Sequence, residues 1–278
     1  MANVAVLNYI RRKSPIHALT GTTKLVFFLC FSVSAMVTYD TRVLLCLLVG
    51  SLLIFKISRV KFREIRFVLG LAAVFLLLNN FFVYLFAPEY GVEIYQSRSL
   101  LFTIVGSYTI TAQQLFYHLN MTLKVMCVIP VALIFIACTD PSEFAASLSS
   151  IGISYRISYA VSLALRYIPD VQREYHNISQ AQQARGIDLS GKDRFFTRLK
   201  NSVAILLPLV LASMHRIETV SNAMELRGFG KKEKRTWYVQ RKLLKADYIA
   251  LGISVMILAF SMVVTFWDGS RFYNPFLI

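Results

Sequence analysis

Apolar residues in this 278-residue chain gather in long runs instead of alternating with polar ones, and the runs predict helices in a membrane. A hydrocarbon core of ~30 Å needs about 20 apolar residues at ~1.5 Å each. Residues 67–87 and 246–266 have that length, and 115–138 has it with Lys124 and Pro130 inside. Two shorter runs, 25–39 and 43–55, meet at Asp40-Thr41-Arg42 and read as a tilted or partly embedded hairpin. The first can extend back past Lys24 if that side chain snorkels. The expectation is an all-α, polytopic membrane protein with about five transmembrane helices.

Charge tests that count, because Lys and Arg concentrate in cytoplasmic loops. Arg11, Arg12, Lys13 and Lys24 precede the first span; Lys56, Arg59, Lys61, Arg63 and Arg66 follow the second against Glu64 alone. The loop after the third holds Glu89 and Glu93 with Arg98, and Asp268 balances Arg271 after the fifth. This alternation predicts a cytoplasmic N-terminus and an external C-terminus. Trp237 and Trp267 flank the fifth run as interface anchors. The first 24 residues have no apolar core, so no cleavable leader is expected.

Composition removes other classes. The chain is 56% hydrophobic and 16% charged, against about 45–50% and ~25% in soluble domains. An ordinary soluble enzyme, a disordered chain and a collagen-like fibre are excluded. The net charge of +15 lies between apolar runs and not on one soluble face, so no nucleic-acid partner is expected; the bilayer is. Three regions follow: 1–138 with about four spans, a cytoplasmic helical region over 139–245, and 246–278 with the last span and an external C-terminus.

Residues 139–245 carry 17 Lys or Arg against 9 Asp or Glu. Their apolar segments are 151–169, interrupted by Arg156 and Arg166, and 203–214, interrupted by Pro208. The second, at about 12 residues, is too short to span. Two or three long amphipathic helices against the inner leaflet are expected here; the alternative is that either segment is an additional span, and two extra spans would preserve the topology.

An internal echo stands in this region: Ala181-Gln182-Gln183-Ala184-Arg185-Gly186 and Ala223-Met224-Glu225-Leu226-Arg227-Gly228, 42 residues apart. Each Arg-Gly pair reads as a helix end, with Gly in the left-handed C′ position and Arg complementing the macrodipole. Two such ends also suit docking. Each presents a forked guanidinium, and the small Ala181, Ala184 and Ala223 let a helix sit deep in a carboxylate-lined groove.

Other chemistry finds no support. Cys30, Cys46, Cys127 and Cys138 lack metal or redox spacing and read as small buried thiols. His17, His118, His176 and His215 form no metal pattern and read as structural or solvent-facing. Gly228-Phe229-Gly230 lacks the strand before and the Lys-Ser/Thr after that a phosphate loop needs. No catalytic or metal residues, and no cofactor bound by this chain, are expected. Lys124 reads as snorkelling or structurally paired, Asn79-Asn80 as interhelical glue, and Asp247 as a carboxylate at a span edge.

The two Arg-Gly motifs resemble the signatures of the transmembrane (T) component of energy-coupling factor transporters, ATP-driven importers of vitamins and transition-metal ions in bacteria and archaea. Family-like features surround them: Ser14-Pro15-Ile16-His17-Ala18-Leu19 with Thr23-Lys24, Thr139-Asp140-Pro141-Ser142-Glu143-Phe144, Leu165-Arg166-Tyr167-Ile168-Pro169, and Glu174. The second motif departs in reading Leu226-Arg227-Gly228 where Ala-Arg-Gly is commoner. The resemblance implies a non-catalytic scaffold in the cell membrane of a bacterium or archaeon. Its 139–245 region would hold coupling helices whose Arg-Gly ends dock on two cytoplasmic ABC-type ATPases. Those partners use ATP and Mg, and a membrane-embedded S component captures the substrate. The competing readings are a permease subunit of another ATP-driven importer, which would dock through one short helix, and an integral membrane enzyme, which would need a constellation missing here.

Overall fold

A computed structural model describes residues 14–60, 62–105, 108–187, 195–232, 236–238, 241–267 and 270–276, with backbone alone for 62–65, 104–105, 108 and 195–200. Arg11, Arg12, Lys13, Lys61 and Asp268, used above for orientation, lie outside the described residues, as do the side chains of Arg63 and Glu64. The described chain runs α1 (Pro15–Ala18), α2 (Gly21–Val37), α3 (Thr41–Ser58), α4 (Phe62–Phe86), α5 (Tyr90–Tyr95), β1 (Leu100–Val105), β2 (Tyr108–Thr111), α6 (Ala112–Cys138), α7 (Pro141–Ser150), α8 (Tyr155–Ala184), α9 (Phe195–Leu226) and α10 (Lys245–Phe266). It forms two compact units, residues 1–140 with 241–278, and residues 141–240.

Among the described residues, five helices have the length and composition to cross a membrane: Thr41–Ser58, Arg66–Phe86, Ala112–Cys138, Asn201–Leu226 and Lys245–Phe266. The number matches expectation and the membership differs. The expected first span is the 17-residue α2, shorter than the rest. The segment read as too short is part of a 32-residue helix, because Pro208 sits inside α9 without ending it.

In the first unit, α2, α3 and α6 surround a core of Phe31, Ala35, Val43, Leu44, Leu47, Leu123, Cys127 and Val131. Cys127 and Cys138 are buried as expected, whereas Cys46 is exposed on α3. α10 buries only Asp247, Ser254, Ser261 and Thr265, while Phe260 and Met256 face outward. Small residues inside and large apolar ones outside are what lipid favours, since lipid competes for apolar contact and close backbone approach does not depend on bulk.

Polar ties then fix the helices. Asp247 Oδ1 accepts from Thr20 N–H at 2.8 Å, Thr20 Oγ1 at 3.0 Å and Thr23 Oγ1 at 2.9 Å, and its Oδ2 accepts from Leu244 N–H at 2.8 Å. One carboxylate thus joins the N-termini of α2 and α10, the positive ends of both dipoles. Two lysines tie α2 to α6 reciprocally. Lys24, near the start of α2, donates to Cys138 O at the end of α6; Lys124 of α6 donates to Met36 O near the end of α2, both at 2.8 Å. Lys124 Nζ also lies 3.1 Å from the Tyr39 ring centroid. Both lysines are buried, so Lys24 does not snorkel and Lys124 is structurally paired. Each neutralises carbonyls that a helix C-terminus leaves without partners.

α4 is held differently: no residue of its 66–86 stretch is buried. Asn80 bridges to α6 through His118 Nδ1 at 2.8 Å and Thr122 Oγ1 at 3.1 Å, so Asn80 supplies the expected glue. A feature the helical reading left out follows it. β1 and β2 form an antiparallel hairpin with Leu100 opposite Thr111 and Phe102 opposite Ile110. Its Thr, Ile, Val and Tyr residues suit a pleated surface.

Candidate functional site

The second unit carries both Arg-Gly motifs. Pro141 opens α7 at a position where its missing N–H costs no hydrogen bond, directly after Asp140. α8 and α9 run antiparallel. Gln182 near the end of α8 donates to Ala204 O near the start of α9 at 3.2 Å; Glu174 pairs with Arg216 at 2.6 Å; and Tyr155 and Tyr159 at the start of α8 meet the Phe229 ring beyond the end of α9, at 5.7 and 5.0 Å between centroids. The two motifs therefore lie at opposite ends of the pair, separated by about 45 Å for a 30-residue helix.

Both ends close by the same mechanism. After α8, Gly186 N–H donates to Gln183 O at 3.0 Å and Ile187 N–H to Gln182 O at 3.1 Å; after α9, Gly228 N–H donates to Glu225 O at 2.8 Å and Phe229 N–H to Met224 O at 2.9 Å. This pair of bonds is the Schellman motif. It needs a left-handed residue at C′, where φ is +85° at Gly186 and +66° at Gly228. The Arg185 and Arg227 N–H groups each reach back to the alanine four residues before, Ala181 O and Ala223 O, at 3.2 Å. The echo is thus one structural device used twice, with Arg as the last residue before the chain turns away.

What the ends present is also alike. Ala181, Ala184 and Arg185 are exposed, as are Ala223, Glu225, Leu226 and Arg227, with Leu226 at 89%. The ends differ in support: Phe229 seats the second on the two tyrosines, and Arg156 donates to Gly230 O at 3.0 Å. Those contacts carried no signal in the sequence, because they join residues some 70 positions apart through aromatic side chains common everywhere in the chain. Of the remaining expected positions, Arg166 and Pro169 are exposed on α8, and Glu174 is half-buried in its ion pair. Arg216, which reads from the sequence only as a charged flank of the 203–214 segment, completes that pair. Along α9, Val203, Leu206, Leu207, Val210, Leu211 and Met214 are all exposed and recur at the spacing of one helix face. Among the described residues, no group of three or more His, Cys, Asp or Glu side chains is placed to hold a metal ion.

A family model described as cobalt transport protein (CbiQ) matches residues 12–238. Several curated proteins named energy-coupling factor transporter transmembrane protein EcfT are similar. That of Staphylococcus aureus is 26% identical over 258 residues, covering 90% of this chain and 92% of the relative. That of Clostridium kluyveri is 25% identical over 288 residues, covering 96% and 98%. That of Limosilactobacillus fermentum is 38% identical over 102 residues, covering 37% of this chain and 38% of the relative. With most of its length matched by the family model, this membrane protein belongs to the CbiQ family, the transmembrane components of energy-coupling factor transporters.

Proposed function

We propose that the chain is the non-catalytic transmembrane scaffold of an ATP-driven micronutrient importer, with α8 and α9 as its coupling helices. The supporting observation is the pair of identically capped, exposed Arg-Gly ends at opposite ends of one antiparallel helix pair. Ala184-Arg185-Gly186 and Leu226-Arg227-Gly228 each dock on one of two cytoplasmic ABC-type ATPases. A separation of about 45 Å matches two grooves on two subunits better than one groove on one. ATP and Mg belong to those partners. The exposed apolar face of α9 offers a seat to a membrane-embedded S component that carries the substrate, a vitamin, a related compound or a transition-metal ion. The chain sits in a bacterial or archaeal cell membrane with its N-terminus in the cytoplasm, which puts the basic residues on the ATPase side.

In this mechanism the protein transmits motion. ATP-driven movement of the two ATPases displaces the helix ends, and the displacement reaches the S component because the α9 face binds its two states with different affinity. Glu174 holds α8 to α9 through Arg216, and Asp140, Pro141, Arg166 and Pro169 are the supporting positions that the family resemblance implies.

The test is co-purification of the full complex and uptake in liposomes, with Arg185→Glu, Arg227→Glu and both together. Each single change is expected to lower recovery of the ATPases, since stranding a partner charge costs ~2–5 kcal/mol, while membrane insertion is unchanged. Normal ATPase recovery and uptake in the double variant overturns the assignment. Arg→Lys separates charge from fork, because an ammonium does not reproduce bidentate carboxylate recognition.

A further inference from the structure

The first unit contains an apolar cavity of about 260 Å³ that the proposed coupling leaves unused. Phe27 and Phe28 of α2, Ile54 and Ile57 of α3, Phe135 of α6 and Ile253 of α10 contribute to its wall. Ile57 and Ile253 are 51% and 44% exposed, so the cavity opens as a slot on the outside of the bundle.

Charge distinguishes one end of this slot. Lys56 precedes Ile57 on α3, Lys245 opens α10 five residues before the lining Ala250, and Arg241 donates to the backbone oxygen of lining Leu19 at 3.3 Å. All three cations are exposed. The described acids near this end are Asp247, buried with both oxygens occupied by donors, and the half-buried Asp140.

We propose that the cavity binds one anionic phospholipid, with an acyl chain in the slot and its phosphate headgroup on Lys56, Arg241 and Lys245. The slot is apolar where a chain would lie and basic where a headgroup would lie. That combination between transmembrane helices recognises negatively charged lipid. A zwitterionic lipid brings its own cation against the same three residues. This inference is independent of the Arg-Gly docking proposal, since none of its residues belongs to the motifs.

Native mass spectrometry of the full chain, released from micelles with equal amounts of phosphatidylglycerol and phosphatidylcholine of the same chains, tests it. The expected result is one retained lipid, with phosphatidylglycerol preferred. Lys56→Gln with Lys245→Gln removes two exposed cations and should lower the preference, about fivefold for each cation near an anionic headgroup. Ala250→Trp fills the slot and should abolish retention. Circular dichroism and melting temperature in detergent establish that each variant is folded. Where the tryptophan variant fails to fold, the glutamine pair decides the matter alone. Equal retention of the two lipids by the native chain, or an unchanged preference in the folded glutamine variant, overturns the site. So does loss of a co-purifying membrane protein from the variants while lipid preference persists, which would make the slot a protein contact.

Discussion

The bundle unit and the helical-pair unit differ in how much they bury. In the bundle, Lys24, Lys124, Asp247, Gln113, Gln114 and Asn120 are buried, while large apolar side chains of α3, α4 and α10 face outward. Each of those buried groups has a hydrogen-bond partner, as in Gln114 Oε1 accepting from Gly91 N–H at 2.7 Å and Asn120 Oδ1 accepting from Thr41 Oγ1 at 2.7 Å. In the helical pair, the described interior of α8 and α9 is little more than Tyr155, Ser158, Ser179 and Ile205. The bundle is specified by polar ties that lipid cannot compete for. The pair is held at a few points along its length and leaves its ends and one apolar face uncovered. One unit has a polar interior of its own; the other buries little between its two long helices.

The comparison breaks first at Asp247. Its carboxylate collects two backbone and two hydroxyl donors from the starts of two helices, so Asp247→Ala leaves several buried donors without an acceptor. A loss of about 3–5 kcal/mol is expected, as for a broken buried charge network. It should appear as a collapse of monodisperse protein extracted in detergent and a lowered melting temperature. Asp247→Asn keeps one acceptor oxygen and should fall between. An Ala variant as stable as the native chain would show that polar ties do not organise the bundle.

The sequence announced parts of this plan and concealed others. Long apolar runs marked α4, α6 and α10 because length and hydropathy are local properties. The Arg-Gly echo marked both helix ends because a C′ glycine is a local necessity. The length of α9 was concealed, since Pro208 suggested a break that a 32-residue helix absorbs. The role of Asp247 was concealed for another reason: its partners Thr20 and Thr23 lie more than 220 positions away. Glu174 was singled out by resemblance alone. Its function as a tie became legible only when α9 brought Arg216 to it.

The difference between the two Arg-Gly ends gives a prediction of middle size. Both glycines have positive φ, and an added Cβ meets nothing within 4 Å at Gly186 and only the flexible Lys231 side chain, at 3.3 Å, at Gly228. Gly→Ala should therefore cost about the same at both, on the order of 1–2 kcal/mol for a left-handed alanine. Phe229→Ala should affect the second end alone, since its ring contacts Tyr155 and Tyr159. Such aromatic pairs contribute about 0.5–1.5 kcal/mol each beyond burial. Hydrogen exchange of the backbone amides is the appropriate readout. Phe229→Ala should speed exchange at 227–229 and leave 185–187 unchanged. Equal acceleration at both ends would show that they are not independently supported.

The smallest effect is expected at the tie between α8 and α9. Glu174 and Arg216 meet at 2.6 Å, but their side chains remain 24% and 36% exposed, and the Arg216 guanidinium also lies 5.9 Å from the Tyr167 ring centroid. Solvent screening limits such a pair to roughly 0.2–1 kcal/mol. A cycle of Glu174→Gln, Arg216→Gln and the double variant isolates the pairwise contribution, read from melting in detergent at low and high salt. Raising the salt should shrink the coupling, since the pair is partly exposed. Uptake by the complex should be more sensitive than stability. On the proposed coupling, a tie that contributes little to the energy of the resting fold would still decide whether the two helices move together when their ends are displaced. Unchanged uptake in both single variants, with the expected small coupling energy present, would show that the pair belongs to the fold alone and that motion passes between the helices elsewhere.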